Sequence, residues 1–155
     1  MLKNKFLSFI LFFVITFSAS FIGSLVSINL KEPWYSQLIK SNYNPPDWIF
    51  APVWTTLYVM MTLAIWFFWH TKNRDINTVY IYFLHIVFNT TWSIVFFGLH
   101  QIMLALIVLV ILIILIIILI IKFKRVNYVS SYLMIPYLLW CCYALFLNFN
   151  LLILN

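Results

Sequence analysis

Carboxylates are almost absent from this sequence: Glu32, Asp47 and Asp75 are all it holds. All three lie in connections between apolar runs, so hydrolysis by a carboxylate dyad is not expected. Glycine is as scarce, with two residues, and no glycine-rich phosphate loop is present. The two cysteines, Cys141 and Cys142, are adjacent inside an apolar run. Neighbouring side chains on a helix point in different directions, so a disulfide between them is not expected. No metal-ligand cluster accompanies them, and they read as small apolar fillers. The formal net charge is +6, but the basic residues are few and scattered. That spread excludes a nucleic-acid-binding face.

What the chain has in excess is apolar surface. Of its 155 residues, 66% are hydrophobic and 8% charged, which leaves too little charge to cover a water-facing domain. A spanning helix needs ~20 apolar residues, and five stretches qualify: 6–28, 48–70, 79–98, 102–121 and 132–153. Backbone polar groups in lipid must be satisfied within their own segment, so these are helices. The expected fold is an all-α membrane protein, a single five-transmembrane-helix bundle over residues 1–155, with a lid loop at 29–47. Lys3 and Lys5 followed by Ser18-Ala19-Ser20 resemble a signal peptide, yet the apolar run continues through Phe21, Ile22, Leu25 and Val26. The segment therefore reads as a retained span.

Lys3, Lys5, Lys72, Arg74, Lys122, Lys124 and Arg125 fall on one side of such a bundle; Lys31 and Lys40 fall on the other. This bias places the N-terminus in the cytoplasm and fits a bacterial inner membrane. The fourth span is nearly pure Leu, Ile and Val, a lipid-facing wall over most of its surface. The second, third and fifth spans differ. Trp54 and Tyr58 share one face, as do Asn89, Trp92 and Phe96, and again Trp140, Ala144 and Leu147. An Asn in hydrocarbon points inward to find a partner. Each Trp alone is ordinary packing; three such faces together suggest a pocket for a flat hydrophobic ligand, with Asn89 or Tyr35 orienting its polar edge. The lid loop is aromatic, with Trp34, Tyr35 and Trp48. Pro45 and Pro46 stop any helix arriving from the left, and Asp47 is expected to cap the second span. His70 and His100 sit at span ends as interfacial imidazoles. His85 shares the turn of Asn89 and is weighed as an axial haem ligand or proton carrier against plain packing.

At these residues the sequence resembles the translocator proteins or tryptophan-rich sensory proteins, also called peripheral benzodiazepine receptors. The matching stretches are Trp34-Tyr35, Pro45-Pro46, Trp48, Ala51-Pro52-Val53-Trp54 and Leu57-Tyr58, then Asn89, Trp92, Phe96-Phe97-Gly98 and Gln101, then Pro136-Tyr137, Trp140, Ala144 and Leu147-Asn148. The resemblance spans about residues 20 to 148. It implies a five-helix bundle, commonly a homodimer, with the third span a candidate contact. It implies binding of protoporphyrin IX or related tetrapyrroles, and of isoquinoline carboxamides and benzodiazepines, with no required cofactor and no metal. The implied ligand-binding positions are Tyr35, Phe50, Ala51, Val53, Trp54, Asn89, Trp140, Tyr143, Ala144 and Leu147, beside Tyr58, Trp92 and Phe96 from the face reading.

Three departures bear on the pocket. Thr90 replaces a common Trp, Ser93-Ile94 a proline pair, and Leu104 a Trp that often lines the site, so that wall is expected to be less aromatic. The tail after Asn148 has no basic residue, which leaves sterol binding unsupported. The leading expectation is a membrane receptor for porphyrin-type ligands. The rivals are light- and oxygen-dependent porphyrin breakdown, with Trp54 and Trp140 as candidate reactive residues, and tetrapyrrole or lipid transport, for which Pro136 would have to break the fifth span.

Overall fold

The computed structural model describes residues 4–155; Lys3, counted above for orientation, lies outside them. Five long helices are apolar enough to cross a membrane. They are α1 (Lys5–Leu30), α3 (Phe50–Trp69), α4 (Ile76–Ser93), α5 (Ile102–Lys124) and α6 (Tyr128–Leu154), with a short α2 (Trp34–Gln37) in the loop after α1. A 3₁₀ turn (Asp47–Ile49) leads into α3, and a π turn (Ile94–Gly98) ends α4.

Three of the five helices, α1, α4 and α6, begin earlier than apolar length alone indicates, because asparagine and aspartate caps start them in polar residues. Asn4 Oδ1 accepts from the backbone N–H groups of Phe6 and Leu7 at 2.9 and 3.3 Å. Asp75 accepts from Asn77 N–H at 3.0 Å, and Asn127 from Ser130 N–H at 3.1 Å. Each cap satisfies donors that an α-helix leaves open at its N-terminus. Hence α4 starts at Ile76 rather than 79, and α6 at Tyr128 rather than 132. At the other end of α5, Lys122 and Lys124 fall in the last turn, where cations complement the helix dipole. Asp47 departs from its expected capping role. Its side chain makes no cap bond and instead accepts from Lys31 Nζ at 2.6 Å. The entry is turned by Ile49 N–H donating to Pro46 O at 3.0 Å.

Packing closes the bundle into a ring: α1 touches α3 and α4, α3 touches α6, α6 touches α5, and α5 touches α4. The aliphatic helix α5 is not wholly lipid-facing. Ala105, Leu109, Leu112, Ile116, Leu119 and Phe123 are buried at spacings of four and three, while Ile107, Val110, Ile114 and Ile121 face outward. A helix without polar residues carries no compositional mark of its inner face, so only its neighbours decide it. Helix α6 runs unbroken through Pro136. Cys141 is buried and Cys142 exposed, and both are free thiols.

Polar contacts sew the helix ends together. At the N-terminal end of α1, Trp66 Nε1 donates to Lys5 O at 3.0 Å, and the Ser8 hydroxyl lies 2.8 Å from His70 Nε2. Also at this end, Lys122 reaches Asp75 at 3.4 Å. The Asp75 carboxyl is held below the usual carboxylate range, chiefly by the Asn77 backbone N–H, with Thr78 and Lys122 adding. A group whose folded pKa is depressed stabilises the fold above its unfolded pKa, and that stability is lost as pH falls through the folded value. Asp75→Asn keeps a capping oxygen without the charge. Melting in detergent at about pH 5 and about pH 3, on either side of the carboxylate range, is expected to show a smaller acid-induced fall in Tm for this variant. Equal falls in the two proteins would remove Asp75 from the acid response.

Candidate functional site

At the lid end of the bundle α1, α3, α4 and α6 stand apart around a cavity of about 400 Å³, within the ~300–1,000 Å³ typical of small-molecule sites. No residue of α5 lines it. The separation has a simple origin in the sequence. At the opposite end α1 carries Phe9, Phe12 and Phe17, which pack on Trp66, Trp69 and Tyr58. Toward the lid it carries Ser20, Gly23, Ser24 and Ser27, which are too small to fill the space. Those four recur at helical spacing and form one wall. At Gly23 a Cβ would lie 3.0 Å from Ser93 Oγ, so the missing side chain permits a close approach of α1 to the end of α4.

The facing walls are aromatic. Phe50, Ala51, Trp54 and Tyr58 come from α3, Asn89 and Trp92 from α4, Phe96 from the π turn, and Trp140, Ala144 and Leu147 from α6; all line the cavity with Tyr35 of the lid. Phe50 and Trp140 meet edge to face at 6.0 Å, Trp54 lies 5.6 Å from Tyr58, and Trp92 stacks on Phe96 at 5.2 Å. Eleven of the thirteen residues named from the sequence are therefore brought together. Val53 and Tyr143 are not on the wall. Val53, on α3, packs against the hydrophobic core. Tyr143 points to the lid, where its hydroxyl donates to Tyr43 O at 2.6 Å.

Asn89 lines the cavity and also carries a structural task. Its Oδ1 accepts from Tyr58 OH at 2.6 Å, and its Nδ2 donates to Tyr137 OH at 2.9 Å. Both tyrosines are buried, so the amide is the centre of a polar network that braces α3, α4 and α6. Asn148 does similar work nearer the lid, accepting from Trp92 Nε1 at 3.3 Å and donating to Ile102 O at 3.0 Å. His85 lies behind the wall and not on it. It is fully buried, with Nδ1 2.6 Å from Tyr82 O; that position does not suit an axial ligand to a group in the cavity. Thr90 bonds to Ile86 O at 3.0 Å, and Leu104 is exposed at 45%. Neither lines the cavity, whereas Ser93 of the third departure does.

The lid is held on all sides. Trp34 stacks on His100 at 4.5 Å and meets Phe96 at 5.4 Å. Ile39 exchanges two hydrogen bonds with the Asn155 side chain, at 2.9 and 3.0 Å. Tyr35 is buried, and Asn44 Nδ2 donates to its hydroxyl at 3.5 Å. The ammonium groups of Lys40 and Lys31 lie 4.1 and 4.5 Å from its ring centroid. Burial pushes the Tyr35 phenol above its ordinary pKa, so it is a neutral hydroxyl at physiological pH.

The serine stripe of α1, Lys31, Asn44, Asp47, Phe97, Asn148 and Leu151 also line the cavity and are not singled out as pocket residues by sequence reasoning. The signal for the stripe was its spacing, masked by the likeness of Ser18-Ala19-Ser20 to a cleavage site.

The model of the TspO/MBR family matches residues 10–154. The chain is similar to the tryptophan-rich protein TspO of Chlorobaculum tepidum, 34% identical over 141 residues and 89% of each chain. It is similar to the tryptophan-rich sensory protein of Cereibacter sphaeroides, 32% identical over 124 residues, 80% of this chain and 78% of that one. The human translocator protein is 27% identical over 133 residues, 83% of this chain and 79% of its own.

Proposed function

The chain belongs to the TspO/MBR family, and from that premise we propose that it is a multi-pass membrane receptor for porphyrin-type tetrapyrroles and benzodiazepine-like hydrophobic ligands. The observation that carries the reading is the cavity itself: indoles from α3, α4 and α6 converge with phenyl rings on one space. Flat faces of that kind stack on a planar apolar ligand with little loss of side-chain freedom. The polar groups of Asn89 and Asn148 are engaged within the protein, so affinity in this reading comes from apolar and aromatic contact.

Tryptophan fluorescence of the purified protein is expected to fall saturably on titration with protoporphyrin IX. Replacing Trp54 and Trp140 together by Phe is expected to weaken binding. Saturable quenching of unchanged midpoint in that double variant would remove the ligand from this cavity. A bacterial inner membrane, a cytoplasmic N-terminus and a homodimer belong to the same proposal; protease accessibility in inverted vesicles and mass in detergent check them.

A second reading, oxidative breakdown of a bound porphyrin by dioxygen under light, is favoured by one observation: both Trp54 and Trp140 face the cavity. Product forming equally fast in the double Phe variant would reduce the protein to a bystander.

A further inference from the structure

The cavity has two chemically different sides. Opposite the indoles, the α1 wall presents the hydroxyls of Ser20, Ser24 and Ser27 and ends at Lys31, the cap residue of the helix. Among the lining residues Lys31 is the one cation, and Asp47 the one anion. Lys31 is placed at the mouth by its helix and by Tyr35, whose ring lies beneath the ammonium at 4.5 Å. An ammonium has three donors; in this structure one is used, by Asp47 at 2.6 Å. Asp47 is itself well exposed, at 66% of its side chain, against 21% for Lys31. Water therefore competes for the acid more than for the base, and the pair is a weak one to displace. A ligand with its apolar body against Trp54 and Trp140 would carry a polar end toward this mouth. Neutral hydroxyls leading to a partly buried ammonium match a carboxylate, which accepts hydrogen bonds from both kinds of group.

We infer that Lys31, with the serine stripe of α1, is a specificity-determining subsite for a carboxylate on the ligand, so that the cavity selects amphipathic aromatic acids over their neutral esters. This deepens the tetrapyrrole reading and rests on it. Asp47 then limits the preference by holding the ammonium in the free protein.

The test compares protoporphyrin IX with its dimethyl ester, by fluorescence titration of the full chain in lipid nanodiscs. The ester is more lipid-soluble, so the quantity to follow is the change in the acid-to-ester affinity ratio between variants, in which partitioning cancels. Lys31→Met is expected to lower the ratio about tenfold, the scale of one charged hydrogen bond. Lys31→Arg is expected to retain most of the ratio, and Asp47→Asn to raise it. A merely structural lysine would shift acid and ester alike in the Met variant and leave the ratio in place; that result overturns the subsite. No saturable quenching by either compound in the unmodified protein would instead overturn the tetrapyrrole reading, and the subsite with it.

Discussion

Asn89→Leu is expected to destabilise the bundle by about 2 kcal/mol, since a buried hydroxyl left without a partner costs ~1–3 kcal/mol and one is orphaned. It is that of Tyr58, at 5% residue exposure; the Tyr137 hydroxyl loses Asn89 but keeps a side-chain hydrogen bond with Cys141. Magnitude decides which effect is seen. A hydrogen bond between membrane helices averages only ~0.6 kcal/mol in double-mutant cycles, so losing the bonds as such would scarcely register. The large term is the desolvated Tyr58 hydroxyl, and it belongs to the partner rather than to Asn89. Replacing all members of a polar network by apolar groups of similar shape is close to neutral. The triple variant Tyr58→Phe, Asn89→Leu, Tyr137→Phe is therefore expected to recover most of the loss. Unfolding midpoints in mixed micelles would compare the two. A triple variant no more stable than the single one would show that Asn89 acts by packing and not by satisfying the tyrosines.

Ala144→Phe is expected to weaken protoporphyrin IX binding about a hundredfold, because overpacking a filled site by about 3 kcal/mol corresponds to two decades of affinity. Ala144 lines the cavity on the same face of α6 as Trp140 and Leu147, and its small side chain leaves the space open. A phenyl ring there would take the volume a ligand needs, while the free protein has room to hold it. The Tm without ligand is accordingly expected to change little. Affinity at the unmodified level in this variant would place the ligand elsewhere. The outcome is distinct from that for Asn89, where the fold gives way before the site does.

Much of this was legible in the residues. Five apolar runs of spanning length define five helices, because lipid admits no other backbone solution. Trp54, Asn89 and Trp140 declared an inner face, since an aromatic or polar residue among aliphatic ones has a reason to turn from lipid. Pairings were less readable. Asp47 had a capping position by its spacing, yet Lys31, sixteen residues earlier, takes the carboxylate; a loop that folds back on itself brings distant charges together in a way spacing cannot encode. The bracing role of Asn89 is not legible in the spacing, because its partners Tyr58 and Tyr137 lie on α3 and α6, which are not its neighbours in the ring. Helix α5 offered no contrast between its faces, and α1 hid its serines within a pattern that has another meaning.

The π turn at Ile94–Gly98 alters how the end of α4 is to be aligned. Leu99 N–H donates to Ile94 O at 2.9 Å, five residues back, and Gln101 N–H to Val95 O at 3.1 Å, six back. A regular helix bonds four back and advances about 100° per residue, so each wider step adds a residue without completing the ordinary rotation. The segment is in effect a phase slip. Downstream of Ser93 the azimuth of a side chain is displaced from what the count along α4 would assign, and Phe96 and Phe97 both reach the cavity. A helical wheel drawn straight through from Ile76 keeps Phe96 on the face of Asn89 and Trp92 but turns Phe97 about 100° away from it, and so misses the second ring.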